Sequence, residues 1–99
     1  LLESAYQTCL ARELSLREIP FVVEQHLPVE YKGLLVESGY RMDFVVADSV
    51  VLEVKSVAAL ELIHEAQLLT YLRLSRKKVG LLLNFNVPVL KDGIKRRVM

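Results

Sequence analysis

Asp43, Glu53 and Lys55 are the residues of this 99-residue chain whose types and spacing could do chemistry. They lie in the valine-rich stretch Arg41-Met42-Asp43-Phe44-Val45-Val46-Ala47-Asp48-Ser49-Val50-Val51-Leu52-Glu53-Val54-Lys55. Two apart on a strand, Glu53 and Lys55 point to one side, with Leu52 and Val54 on the other. A strand this apolar reads as buried on both faces, and charged groups there need a reason. Two carboxylates brought together repel unless a proton or a cation intervenes. Hard oxygen donors suit magnesium or manganese. Such an ion could bind a phosphate oxygen and activate a water for in-line attack, while Lys55 orients the water or stabilises developing charge. The alternative is a structural ion pair between Glu53 and Lys55 on a half-exposed strand.

Whether Asp43 joins them depends on hairpin register. A two-residue turn at Asp48-Ser49 pairs Ala47 with Val50 and sets Asp43 opposite Val54, on the wrong face. A three-residue loop, Ala47-Asp48-Ser49, pairs Val46 with Val50 and sets Asp43 opposite Glu53, with Cβ atoms about 5 Å apart. Only the second option gathers Phe44, Val46, Leu52 and Val54 on one face, and a one-residue slip scrambles both faces. The expectation is a three-residue or equivalently bulged loop.

The positioning elements follow from periodicity. Leu2, Tyr6, Cys9, Leu10 and Leu14 recur at helical spacing, so Leu1 to about Glu18 reads as a helix that Ile19-Pro20 stops. Phe21 to Lys32 reads as a strand, at an edge or bulged because Pro28 cannot donate to a ladder. After a turn at Lys32-Gly33, Leu34 to Ala47 is a second strand, with Gly39 as a possible irregularity. Val50 to Val57 is a third. Glu61 to about Arg76 is a second helix, apolar on more than one face. Val79 to Phe85 is a strand buried on both faces. Lys91-Asp92-Gly93 turns into a short basic strand, Ile94 to Met99. The fold class is therefore α/β (α+β): an α-β-β-β-α-β order plus a short strand, a mixed sheet flanked by helices.

Ninety-nine residues fit one domain, 1–99, and 53% hydrophobic residues suffice for a layered core. The chain begins at Leu1 and ends on Val98-Met99 in mid-pattern, so residues are expected to be missing at both ends. Thirteen basic and twelve acidic residues give a net charge of +1, which leaves any nucleic-acid role to local charge placement. The single Cys9 excludes an internal disulfide and a zinc site built of cysteines, and fits a reducing cytoplasm. No apolar run is long enough to span a membrane, and no signal peptide is visible.

Asp-x9-Glu-x-Lys, followed by a helix with Gln67-x-x-x-Tyr71, resembles the PD-(D/E)XK nuclease superfamily. Several further segments resemble its GxxExxY protein family. They are Leu2-Glu3-Ser4-Ala5-Tyr6 with Leu10 and Glu13-Leu14, Arg41-Met42-Asp43-Phe44-Val45-Val46, Glu53-Val54-Lys55, Ala66-Gln67-Leu68-Leu69-Thr70-Tyr71-Leu72, and Gly80-Leu81-Leu82-Leu83-Asn84-Phe85. The family's leading glycine falls before Leu1, and Met42 stands where the superfamily's name has proline. The resemblance implies a restriction-endonuclease-like core. It implies Asp43 and Glu53 as metal ligands, Lys55 as the catalytic lysine, Glu3 as an accessory acid on the metal, and Gln67 as a helper or substrate contact with Tyr71 one turn on.

Each helper has a plainer alternative. Glu3 also fits a first-turn acid favoured by the helix dipole. Gln67 fits an amide bonded inside the helix–sheet seam. His64 could share Gln67's face or be a surface histidine, and His26 is assigned no role. Tyr6 and Tyr71 fit the amphipathic core, and Cys9 fits the apolar face of the first helix. Two basic clusters, Arg73, Arg76, Lys77 and Lys78, and Lys91, Lys95, Arg96 and Arg97, fit a solvated rim or a phosphate track. Arg73, Lys77, Lys95 and Arg96 are the expected substrate contacts with Tyr71. The sequence thus points to a magnesium- or manganese-dependent nuclease acting on DNA ahead of RNA, cytoplasmic, with a homodimer possible. Its alternative is an inactive nuclease-fold module that binds nucleic acid or protein.

Overall fold

The first helix ends before Ile19-Pro20, in a left-handed turn at Glu18 (φ 56°) where the Glu18 and Ile19 N–H groups donate to the Ser15 and Leu14 carbonyls at 3.1 and 3.0 Å, and Pro20 then leads into a sheet. The computed structural model describes residues 2–99, the Ser38 side chain excepted, so Leu1 lies outside the described residues. The order is α1 (Glu3–Leu16), β1 (Phe21–Tyr31), β2 (Leu34–Val46), β3 (Val50–Lys55), α2 (Leu62–Ser75), β4 (Val79–Asn84), a 3-10 turn (Leu90–Gly93) and β5 (Ile94–Val98). This is the order read from the sequence, with element ends shifted by one or two residues. The five strands form one mixed sheet in the order β1-β2-β3-β4-β5. Only β3 and β4 run parallel, because α2 carries the chain back between them.

The middle of the sheet is buried on both faces, while β1, β5 and the outer part of β2 are largely exposed. On one side Met42, Val45, Val51 and Leu82 pack beneath Leu68, Tyr71 and Leu72 of α2. On the other, Phe44, Leu52, Val54 and Leu83 meet Leu14 of α1, with Tyr6 and Leu10 packed alongside. Val51 and Leu52 face opposite helices, which explains why the β3 sequence shows little polar alternation. The expected apolar row on α1 is narrower than its periodicity suggested. Leu2 is 77% exposed and Cys9 is exposed as well. Tyr6, Leu10 and Leu14, four apart, form the seated row, and Cys9 sits about 100° around the helix from Leu10. Among the described residues no helix is long and apolar enough to cross a membrane.

Pro28 behaves as its missing N–H demands. It lies on an edge strand, and the β1–β2 register shifts between Leu27 and Val29. Leu27 faces Tyr40 while Val29 faces Val36, so Pro28 stands opposite residues 37–39. Gly39, at φ +79°, takes the left-handed conformation that this bulge needs.

At the other end of the sheet, Gly93 lies against the backbone of β4. A β-carbon at this position would collide with the Asn84 carbonyl oxygen and press on the Val87 side chain. That contact is backbone, so a substitution has to move a strand instead of a flexible side-chain tip. Gly93→Ala is expected to destabilise the fold by about 2 kcal/mol or more, the range of overpacking in a closed site. Urea unfolding checks this, and an unchanged midpoint would remove the proposed close approach.

Candidate active site

The β2–β3 pairing sets Val46 opposite Val50, Val45 opposite Val51 and Phe44 opposite Leu52. This is the register of the three-residue loop. Ala47 and Asp48 make the turn in left-handed conformations, at φ 51° and 54°. Ser49 N–H donates to the Val46 carbonyl at 3.0 Å. One step beyond Phe44 and Leu52 come Asp43 and Glu53, where side chains take over from the backbone ladder. Asp43 N–H donates to Glu53 Oε2 at 2.8 Å, and Val54 N–H donates to Asp43 Oδ2 at 2.8 Å. Each carboxylate is thus fixed by the opposite strand.

A second irregularity meets the first. Val23 faces Phe44 and Gln25 faces Met42, but Glu24 and Asp43 drop out of the pairing, with Glu24 at φ 53°. Met42 then packs in the α2 cluster while Phe44 packs in the α1 cluster. The two-residue alternation of β2 is therefore reset across Asp43. Nothing in the apolar pattern announced that reset.

The electrostatics follow from burial. Glu53 is 2% exposed. Desolvation pushes its pKa up to about 8, and the neighbouring Asp43 charge adds to the rise. The Asp43 N–H, Lys55 and Arg41 oppose it. Asp43 is raised too, chiefly by burial, with Glu3 adding to the rise and the Val54 N–H and Lys55 lowering it. Tyr71 is raised above the usual phenol range by burial, with Glu53 next in weight. A buried acid next to a half-buried one, with a lysine beside them, stabilises a proton or a cation at one point. Each acid commits one oxygen to a backbone N–H and keeps its second for a further partner, so the donor set fits a hard divalent ion.

These groups line a cleft of about 360 Å³ between the two helices. Glu3 comes from α1, Asp43 from β2, Glu53 and Lys55 from β3, and Gln67 and Tyr71 from α2. The structure therefore brings together all five residues expected at the centre, and Tyr71 with them. Among the described residues no group of three or more His, Cys, Asp or Glu side chains is set to hold a metal ion. Glu3 lines the cleft and acts on Asp43 through its charge. Tyr71 is both a core residue and a cleft wall, so the two roles are not alternatives.

Four expected substrate contacts are not among the cleft's lining. Helix α2 leaves the site end of the sheet and delivers Lys77 to the far end, where its ammonium holds the hairpin-loop residue Asp48 through both carboxylate and carbonyl at 2.8 Å. Arg73 and Arg96 are exposed. Lys95 lies 4.0 Å from Glu65, which Arg97 also pairs, so these cations tie β5 to α2. Nearness to the site's helix in sequence does not bring them to the cleft, because that helix runs away from it. His64 is neither surface ornament nor cleft residue: its Nδ1 accepts the Glu61 N–H at 2.9 Å and caps α2.

Gln7, His26, Gly39 and Arg41 also line the cleft and were not singled out. Gln7 was findable, one helical turn from Glu3. His26 and Arg41 are cross-strand partners, a relation fixed only by the β1–β2 register. Asn84 supports the site from below, opposite Lys55 on β4 and 3% exposed. Its amide accepts the Val57 N–H at 3.1 Å and donates to the Val57 carbonyl at 3.0 Å, holding the chain where it leaves Lys55.

A family model of the PD-(D/E)XK nuclease superfamily matches residues 1–97. Among solved structures, the crystal structure of SSO0001 is similar with a TM-score of 0.63 at 23% identity, covering 95% of this chain and 48% of that one. The chain thus spans about half the length of that protein, and the likeness is one of fold. The comparison with curated proteins finds no match.

The raised Glu53 pKa sets a stability profile with a definite sign. The ordinary value is 4.5 and the folded value about 8. The folded state therefore binds the proton more tightly, and this contribution is complete below pH 4.5 and lost as pH rises through 8. Metal-free protein is expected to weaken across that window. Glu53→Gln is expected to leave stability near pH 4 unchanged and to raise it at pH 9 by on the order of 5 kcal/mol. Denaturant unfolding at both pH values checks this, and equal effects at the two would contradict a buried ionising Glu53.

Proposed function

The chain belongs to the PD-(D/E)XK nuclease superfamily, and from that premise we propose that it is a metal-dependent nuclease hydrolysing nucleic-acid phosphodiester bonds. One observation carries the reading: two carboxylates, Glu53 buried and Asp43 half-buried, are each locked to the opposite strand at one cleft, beside a lysine. Superfamily nucleases generally use divalent metal ions. Asp43 and Glu53 would hold the ion, with Glu3 reaching it directly or through water. Magnesium or manganese suits this all-oxygen set. When bound, the ion supplies Lewis-acid stabilisation of charge on a phosphoryl oxygen.

The chain's own residues do the remaining work. Backbone donors from Asp43 and Val54 fix both carboxylates before substrate arrives, so no reorganisation is needed at the moment of reaction. Lys55 points its charge into the same cleft, where it orients the attacking water or stabilises negative charge growing on the phosphate. Gln67 offers an amide to the substrate backbone, and Tyr71 walls that side. Arg41 adds a second cation at the cleft for a neighbouring phosphate. On the same reading, the resemblance of its motifs to the GxxExxY family supports that branch of the superfamily.

Cleavage of single-stranded and duplex DNA and RNA with magnesium or manganese tests the proposal. Lys55→Ala and Asp43→Asn are each expected to lower the rate by about 100-fold or more, the scale of losing an electrostatic stabiliser. Metal-dependent cutting that survives both changes would sink the site. Absence of cutting together with absence of metal binding by calorimetry would replace the nuclease with a binding module of the same fold. Below pH 8, ion binding is also expected to release a proton from Glu53, seen as a heat that depends on the buffer's ionisation enthalpy.

A further inference from the structure

Beside the acidic cleft lies a second cavity, of about 460 Å³, at the root of the β1–β2 hairpin. It occupies the bulge at Pro28, where one residue of β1 stands opposite three of β2. Leu27, Pro28, Leu35 and Tyr40 give it apolar walls, and His26 and Glu37 bring polar edges. The size falls in the range of small-ligand pockets, about 300–1,000 Å³.

The two spaces are adjacent. His26 and Gly39 line both. Tyr40, on the cavity side, meets Tyr71, on the cleft side, edge to face with ring centroids 6.0 Å apart. An aromatic pair and two shared residues thus separate a charged compartment from an apolar one. A nucleotide has the same two-part character: an anionic phosphate joined to a flat base with apolar faces and hydrogen-bonding edges.

We propose that the hairpin-root cavity is a base-binding subsite, which takes one unstacked nucleobase of the strand whose phosphate lies at Asp43, Glu53 and Lys55. This rests on the nuclease reading of the cleft and adds to it. The base stacks on Tyr40, and His26 and Glu37 offer a donor and an acceptor to its edge. A base stacked and paired inside a duplex cannot enter, so strands that are single, frayed or flapped at this nucleotide bind best.

The test measures binding of an end-labelled single-stranded oligodeoxynucleotide by fluorescence anisotropy, with magnesium and in a Lys55→Ala background that suppresses turnover. A series of the same oligonucleotide carries one abasic site, moved along the strand. One position is expected to weaken binding about tenfold or more, the scale of one lost base–aromatic stack. Leu35 is 68% exposed, so Leu35→Glu tolerates folding while it charges the cavity rim. This variant is expected to weaken the intact strand by a similar factor and to become indifferent to the abasic site. Strong binding with every abasic oligonucleotide within twofold of the intact strand would overturn the subsite and leave the nuclease reading standing. Loss of a dimer in Leu35→Glu, seen by light scattering without any abasic discrimination in the parent, would also overturn it and reassign the hairpin to self-association. No binding of any nucleic acid, with no cutting by the unmutated chain, would overturn both readings.

Discussion

Where β2 and β3 part company, two carboxylates stand in for the backbone ladder. Asp43 and Glu53 each accept an N–H from the opposite strand, so the sheet stays satisfied although its regular pairing has ended at Phe44 and Leu52. A buried N–H without a partner is costly, and the acids remove that cost. In return the N–H groups fix two acids next to each other, Glu53 buried and Asp43 half-buried. The burial of Glu53, its raised pKa and the demand for a proton or cation all follow from this exchange.

The surrounding elements serve to keep that point open and rigid. Helix α2 covers one face of the sheet and lends Tyr71 and Gln67 to the cleft. Helix α1 covers the other and lends Glu3 and Gln7. Tyr6 of α1 stacks on Phe85 at the end of β4, with centroids 4.6 Å apart, which anchors the helix beside the site. Asn84 pins the chain after Lys55, and Gly93 allows β4 to be approached closely enough for the last strand to seat. The Glu65 pairs with Lys95 and Arg97 then bind that strand to α2. Lys77, Lys95 and Arg97, three of the cations that look like a phosphate track in the sequence, are spent on the scaffold.

Order, layers and the central triad were legible from local pattern. Helical spacing identified both long helices, alternation and turn signals the outer strands, and near-continuous apolar runs the two central strands β3 and β4. Hydrophobic alternation on β2 and β3 selected a three-residue loop, and that loop brought Asp43 to Glu53. The same pattern could not show the reset of β2 at Asp43, since Met42 and Phe44 are both apolar and each is buried, but under different helices. His26 and Arg41 also escaped, because what makes them cleft residues is their pairing across β1 and β2. The place of the basic residues on and after α2 was hidden for a related reason: closeness in sequence to a site helix says nothing about which way that helix runs.

The chain's own residues determined the fold class, the register of the β2–β3 hairpin and the identity of the two acids and the lysine, because each depends on spacing within one element or one tight turn. Tertiary structure alone decided which helper residues reach the acids, which cations are tied up in ion pairs, and that a bulge at Pro28 opens a cavity next to the cleft. Those outcomes depend on where elements distant in sequence meet, and on how far burial shifts the charge of Glu53. Neither quantity is written in a periodicity.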